Sequence, residues 1–373
     1  MIKKHKKSAV KLMRRSARVY LNELNDGKAN KLTDFLRTCH DMTQYFVDLF
    51  WQRKDFTAIL SALPTVHRGR DLFATTTRLA QALAKQAKET LRAGKANGFT
   101  RKPRLRKHTA TLFSHFVELE KFDGKEFDYC LRFVGSGAPK GLIVPFHSTR
   151  VINRRLADGW ILDKTVRLGR DGKRLWVDVI LIKPRPQRKT VGTIVGMDNN
   201  YKAGLVFSDG QQIGQEVYEK IQTFAKRQKN TFKEVDALIG QALKRVDWST
   251  IKTLAIEKLS KVKNGKRGTF SRQFNRRLAH WIYASIADRL RNICEENGIE
   301  LLFKHPYKTS QFCRVCGKWD KRSRNSDKFL CVHCGHADHA DQNAAKNLEL
   351  LATLGVYGLW ILKNQPLPSF AKN

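Results

Sequence analysis

The sequence predicts an α/β protein built in two parts, and three observations predict it. Beyond residue 190, apolar runs of strand length alternate with helical periodicity, in the order strand, hairpin, helix, strand, helix, strand. Before residue 184, helical stretches give way to a series of short β-type runs. Between the two parts, Lys183-Pro184-Arg185-Pro186-Gln187-Arg188-Lys189 is a stiff basic linker. With 373 residues, 41% of them hydrophobic, the chain can bury two or three cores.

Val19-Tyr20-Leu21 predicts a short strand. From Lys31 to Trp51 the apolar residues Leu32, Phe35, Leu36, Cys39, Met42, Phe46, Val47 and Phe50 fall at helical spacing. A second helical stretch runs from Leu72 to Ala93 and ends at Gly94. The loop that follows carries Arg101, Lys102 and Arg104 among Gly and Pro, which suits contacts to a phosphate backbone. Residues 110–183 read as a small antiparallel, barrel-like domain. Its strands are Thr111–Leu119, Tyr129–Val134, Gly141–Pro145, and a hairpin of Thr165–Leu168 and Leu175–Ile182 around Gly169–Lys173. After the linker, Val191–Met197 predicts a buried strand, and Gly204–Ser208 with Gln211–Val217 a hairpin around Asp209-Gly210. Tyr218–Val246 reads as largely helical and Thr253–Ile256 as a strand. Phe274, Leu278, Trp281, Ile282, Ile286, Leu290 and Ile293 mark an amphipathic helix that stops near Asn297-Gly298, and Ile299–Phe303 is a further strand. Residues 355–373 form a tail of little periodicity.

Lys and Arg total 71 against 34 Asp and Glu, a net charge of +37. Such self-repulsion is tolerated most simply by a protein whose partner is a polyanion, and nucleic acid is the commonest. Residues 1–18 hold eight Lys or Arg and no acid, as a solvated tail or an arm on phosphates. No apolar h-region follows the charged start and no run reaches membrane-spanning length, so the expectation is a cytoplasmic protein with no membrane partner.

Of the seven cysteines, Cys39, Cys130 and Cys294 are scattered in apolar surroundings, which suits buried thiols. The other four form Cys313-x-x-Cys316 and Cys331-x-x-Cys334, each followed by glycine. Two such knuckles bring four thiolates into a tetrahedron that fits Zn2+, and four protein ligands leave no open position, so this zinc is structural. His333, His336 and His339 lie nearby and could replace a ligand; the cysteines are favoured, and these histidines read as surface or nucleic-acid-facing residues.

Three acids sit where elements end. Asp198 follows Gly192–Met197, Glu257 follows Thr253–Ile256, and Asp341 opens the helical Gln342–Leu348. Together they fit an RNase H-type arrangement, in which two adjacent strands and a helix converge carboxylates on two divalent cations. Hard oxygen ligands suit Mg2+ or Mn2+, and a pair of cations about 4 Å apart hydrolyses phosphodiesters.

The ordered set resembles a known family. It runs Gly196-Met197-Asp198, Ser208-Asp209-Gly210, Ile256-Glu257-Lys258-Leu259, Thr309-Ser310-Gln311-x-Cys313-x-x-Cys316-Gly317, Cys331-x-x-Cys334-Gly335-His336, then Asp338-x-x-Asp341-x-Asn343-Ala344-Ala345-x-Asn347. This resembles the TnpB family of transposon-encoded RNA-guided DNA endonucleases, and through it the compact type V CRISPR effectors. The motifs span residues 191–350. The resemblance implies a RuvC-like nuclease core over 191–308 and 337–354, with a four-cysteine zinc ribbon inserted at 309–336. It implies an amino-terminal wedge domain, residues 1–25 and 110–183, interrupted by a helical recognition domain at 26–109, with 184–190 as the linker. Asp198, Glu257 and Asp341 become the magnesium-binding catalytic acids. The partners implied are a guide RNA and target double-stranded DNA, with base pairing reading sequence. The family usually has glycine two residues after the first acid, whereas this chain has Asn200, a residue that tolerates left-handed backbone.

The segment after Glu257 carries Lys258, Lys261, Lys263, Lys266, Arg267, Arg272, Arg276 and Arg277 with no acid, as a grip on the DNA strand or the heteroduplex. Two other readings stay open: a nuclease-silent RNA-guided DNA binder, and a transposase acting directly on element ends.

Overall fold

The computed structural model describes residues 11–54, 56, 62–122, 126–200, 202–223, 231–258 and 283–362. The chain divides into two compact units, Met1–Pro184 and Arg185–Asn373.

In the first unit, strand β1 (Leu12–Tyr20) takes up most of the described part of the basic amino-terminal run. Alternation decides this: Met13, Ala17 and Val19 are buried while the residues between them carry the charge. Arg18 donates to both oxygens of Asp178 at 2.7 and 2.9 Å and lies 3.6 Å over the Trp176 ring, so at least one of these cations serves the fold. Helix α1 (Asp26–Arg53) starts at Asn25, whose side chain accepts from Lys28 N, and buries Leu32, Leu36, Cys39, Met42, Phe46, Val47 and Phe50. The second helical stretch is α3 (Thr77–Ala96), which starts later than Leu72; a helix that the sequence reading did not foresee, α2 (Leu63–Leu72), precedes it. Leu72 ends α2, and Thr76 caps α3 by accepting from Leu79 N. Gly94 lies inside α3; the left-handed residue beyond it is Gly98, at φ +75°. Ala80, Ala84 and Ala87 line the buried face of α3, which packs against α1.

The β-rich region of this unit forms two hydrogen-bonded sheets. One has the order β1-β7-β6-β2, with β2 Thr109–Leu112, β6 Ile161–Asp171 and β7 Arg174–Pro184. The other is β3-β4-β5, comprising Val117–Lys121, Tyr129–Phe133 and Ile143–Phe146. The run expected as one strand over Thr111–Leu119 breaks at a turn in which Phe116 N donates to Phe113 O. Helix α4 (Arg150–Ala157) has no counterpart in the sequence reading, because eight residues with one buried side chain carry little periodicity.

The second unit is built on a five-stranded sheet of order β10-β9-β8-β11-β12. Strand β8 (Thr193–Asn200) pairs antiparallel with β9 (Gly204–Phe207) and parallel with β11 (Ile251–Glu257); β11 pairs parallel with β12 (Glu300–Lys304). Strand β10 is short, Gln212–Ile213. The hairpin therefore ends earlier than Val217: Gly214 turns at φ +82°, and Val217 sits buried in helix α5 (Gln215–Thr223). Helices α6 (Thr231–Ala242) and α7 (Tyr283–Glu296) follow, with Ile239, Ile286 and Leu290 in one core with Val195, Met197 and Leu254. Phe274, Leu278, Trp281 and Ile282, expected on the same helix as Ile286, lie outside the described residues. A three-stranded ribbon, β13 (Arg324–Asn325), β14 (Lys328–Leu330) and β15 (Ala337–His339), leads into helix α8 (Ala340–Thr353). Leu359 and Leu362, in the tail, pack with Phe312, Leu350 and Leu351.

Candidate functional site

The geometry starts at Gly196, in the middle of β8. A Cβ there would lie 1.9 Å from the carbonyl oxygen of Ala345 and 2.5 Å from the amide of Glu349. Helix α8 thus lies directly on strand backbone, an approach only glycine permits. Ala344 and Ala345, both buried, keep the facing side of α8 equally shallow.

This docking places three acids. Met197 and Ile256 are partners across the parallel β8–β11 ladder, so Asp198 and Glu257, one residue further, leave the same end of adjacent strands. Asp341 sits in the first turn of α8, beyond an amino-terminal cap in which His339 Nδ1 accepts from Asp341 N. Asp198 and Asp341 are buried, at 8% and 1% exposure. Burial first, then the charges of Glu257 and Asp341, push Asp198 well above the usual carboxylate range; Arg324 and the Asn199 amide oppose this. Burial raises Glu257 as well, opposed by the Thr309 hydroxyl and Arg324, with Asp341 adding to the rise. The acids therefore share one electrostatic site.

Side chains around them fix their positions. Thr309 Oγ1 donates to Glu257 Oε1 at 2.6 Å. Asn200 Nδ2 donates to Asp341 Oδ1 at 2.7 Å, and Arg324 Nη2 lies 3.5 Å from the same oxygen. Asn343 Nδ2 donates to Phe312 O, and Asn347 Nδ2 donates to both Thr309 O and Phe312 O. These buried amides join α8 to the segment that carries Thr309 and the first knuckle, and they account for the spacing Asn-Ala-Ala-x-Asn.

The four cysteines form a second centre. Cys313 Sγ lies 3.6 Å from Cys334 Sγ, and Cys316 Sγ 3.6 Å from Cys331 Sγ; all four sulfurs fall within 4.8 Å of one another. Sulfurs about 2.3 Å from a tetrahedral zinc are separated by about 3.8 Å, so the set fits that ion. Gly317 and Gly335, at φ +73° and +74°, turn each knuckle. The amides of Val315 and Cys316 point at the Cys313 sulfur, and those of His333 and Cys334 at the Cys331 sulfur. Burial raises the Cys313 thiol; at Cys331 burial acts the same way, but hydrogen bonds from the His333 and Cys334 amides and from the Cys316 and Cys334 thiols together lower it. Among the described residues no His joins this group of ligands.

Of the expected nucleic-acid contacts, Arg101, Lys102 and Arg104 are exposed on the loop after α3, with Lys102 paired to Asp48 at 2.9 Å. Lys261, Lys263, Lys266, Arg267, Arg272 and Arg276 lie outside the described residues. Arg324, Thr309 and the Asn200 side chain are the site residues that sequence reasoning missed. Thr309 stood in the quoted motif without a role. Arg324 is one cation among several, and only the ribbon's fold brings it to Asp341. Asn200 was read as a residue for left-handed backbone, but it ends strand β8 with no positive φ, and Gly204 takes the turn at φ +82°.

Comparison with known proteins agrees with this architecture. Residues 283–348 match the family model "Cas12f1-like, TNB domain". A TnpB-like protein of Aquifex aeolicus (strain VF5) is 34% identical over 101 residues, 26% of this chain and 32% of that protein. The CRISPR-associated endodeoxyribonuclease Cas12f1 of Sulfoacidibacillus thermotolerans is 35% identical over 77 residues, 20% of this chain and 18% of that one. The aligned regions thus span about a third or less of these curated relatives. In fold, the chain is similar to Cas12f1 in a cryo-EM structure of its complex with sgRNA and target DNA. The TM-score is 0.52 at 15% identity, covering 87% of this chain and 83% of that one.

Proposed function

We propose that this chain, which belongs to the TnpB and compact type V effector family, is an RNA-guided DNA endonuclease of a mobile element, cutting phosphodiesters at guide-complementary sites. The observation that carries this reading is the convergence of Asp198 and Glu257, in register on adjacent parallel strands, with Asp341 on a helix seated against Gly196. The strand order, with an antiparallel hairpin beside two parallel strands, supports the reading of an RNase H-like, RuvC-type core.

Carboxylates raised by burial and by neighbouring negative charge, Asp198 by Glu257 and Asp341 and Glu257 by Asp341, are a site that divalent cations would relieve. Asp198, Glu257 and Asp341 would hold magnesium or manganese, which when bound would supply water activation and stabilisation of the leaving oxygen. The chain's own groups do the rest. The Thr309 hydroxyl orients Glu257, and the Arg324 guanidinium brings a fixed positive charge beside Asp341, where an entering phosphate needs one. The four cysteines hold zinc as a structural ion, and through Asn343 and Asn347 their ribbon is tied to the helix that bears Asp341. The net charge of +37 fits a protein that holds a guide RNA and a DNA duplex together. In this reading residues 1–25 and 110–183 form the wedge domain, 26–109 the recognition domain, and residues 184–190 the linker. No helix among the described residues is long and apolar enough to cross a membrane.

The test is to purify the full chain from cells carrying its native locus and sequence the RNA that co-purifies. A plasmid complementary to that RNA is then incubated with the complex and magnesium. Cleavage is expected, and Asp198→Ala, Glu257→Ala and Asp341→Ala should each abolish it with binding retained. Binding without cleavage by the wild type identifies a nuclease-silent binder. Activity that survives ribonuclease treatment identifies a transposase acting on DNA alone.

A further inference from the structure

Asn200 closes β8 two residues after Asp198, opposite Gly204 of β9. Its side-chain oxygen accepts from Lys202 N at 2.8 Å and from Ala203 N at 3.3 Å. Two backbone donors on one oxygen fix which end of the amide is which, because the flipped amide would set its NH2 against both of them. The amide nitrogen is thereby turned the other way, and it donates to Asp341 Oδ1 at 2.7 Å. Arg324 approaches that same oxygen, at 3.5 Å. Among the described residues, no side-chain hydrogen bond engages Oδ2.

We propose that Asn200 is a positioning residue for Asp341. It holds Oδ1 so that the carboxylate meets its cation through Oδ2. This rests on the reading of Asp341 as a cation ligand. The chemistry of an amide suits the task. It grips a carboxylate oxygen without a charge that would compete with the cation, as lysine would. Its oxygen is committed to the turn, so the donor cannot rotate away. Serine can supply an acceptor to the turn but is too short to reach a carboxylate on another element. A carboxylate at position 200 would repel Asp341. Groups that orient a metal ligand in this way carry a tenfold to hundredfold share of affinity.

The experiment measures Mn2+ binding to the full chain, freed of nucleic acid in high salt, by following the electron paramagnetic resonance of free Mn2+. Asn200→Ser keeps the turn acceptor and removes the donor. Asn200→Gly removes both and is the residue the resembling family usually carries here, so it keeps the test open should the serine variant fail to fold. Asp341→Ala runs in parallel. Both Asn200 variants should bind Mn2+ about 10- to 100-fold more weakly than wild type. Cleavage by the RNA-loaded variants should recover as Mn2+ is raised, whereas Asp341→Ala should not be rescued. Unchanged Mn2+ affinity in a folded Asn200 variant, alongside weakened binding in Asp341→Ala, would show that Asn200 only shapes the turn and overturns the proposal. Unchanged affinity in Asp341→Ala overturns the reading of the acids, and this proposal with it.

Discussion

Replacing Gly196 with alanine tests how the acids are brought together. The added methyl would stand 1.9 Å from Ala345 O and 2.5 Å from Glu349 N. Both are backbone atoms of a packed helix, so no side chain can swing aside. Restoring an ordinary contact of about 3.5 Å requires α8 to lift from β8 by roughly 1.5 Å. The lift acts on Asp341, in the first turn of that helix, and moves it away from Asp198 and Glu257. Catalytic groups work within about 0.5 Å of their productive geometry, and a misplacement near 1 Å costs about 100-fold. The packing cost is that of an overfilled core, about 1–3 kcal/mol. The RNA-loaded Gly196→Ala protein should therefore keep binding target DNA, cut it at least about 100-fold more slowly, and melt at a lower temperature. Single-turnover cleavage and calorimetry measure the two effects. A variant that cuts and melts like wild type would mean that α8 does not set the spacing of the acids.

Cys331→Ser should lower elemental zinc below one per chain and reduce cleavage, because the ribbon and α8 are joined by Asn343 and Asn347; folded wild type without zinc would refute the assignment. The raised acids make a pH prediction. A carboxyl whose folded value lies above its unfolded value of about 4 stabilises fully below that range and loses the contribution as pH rises through the folded value. Without added magnesium or manganese, wild type should lose melting temperature relative to Asp198→Asn as pH rises above the ordinary carboxylate range of about 4; a difference that stays constant as pH rises counts against a strained site. Replacing Lys261, Lys263, Lys266 and Arg267 together with Gln should reduce the salt slope of log K for duplex DNA by about 0.9 for each phosphate no longer neutralised; parallel lines with equal intercepts would place the grip elsewhere.

The elements that position the acids were legible because their signals are local. Val195 and Met197, or Leu254 and Ile256, are apolar neighbours on strands covered on both faces, and the Cys-x-x-Cys spacing is a short-range constraint on one ion. What escaped depends on contacts across long stretches of chain. Arg324 reaches Asp341 only because Arg324–Asn325 pairs with Lys328–Phe329 in the ribbon. Asn200 meets Asp341 across 141 positions of sequence, and nothing in the order of residues announces which neighbour an amide will find. Gly196 could be read as a strand residue, but its reason for being glycine lies in α8. The start of the second helical stretch at Thr77 rather than Leu72 turned on Thr76, a cap hidden in a run of three threonines.

Strands β8 and β11 are each bonded on both sides, and α8 lies across β8 without space for a methyl group. Their amide protons should be among the slowest in the chain to exchange with solvent, released only when much of this unit opens. Acids anchored to such elements are assembled at folding. If the acids cut a strand as proposed, the control of cutting would act on entry to them, as a matter of admission rather than of assembly.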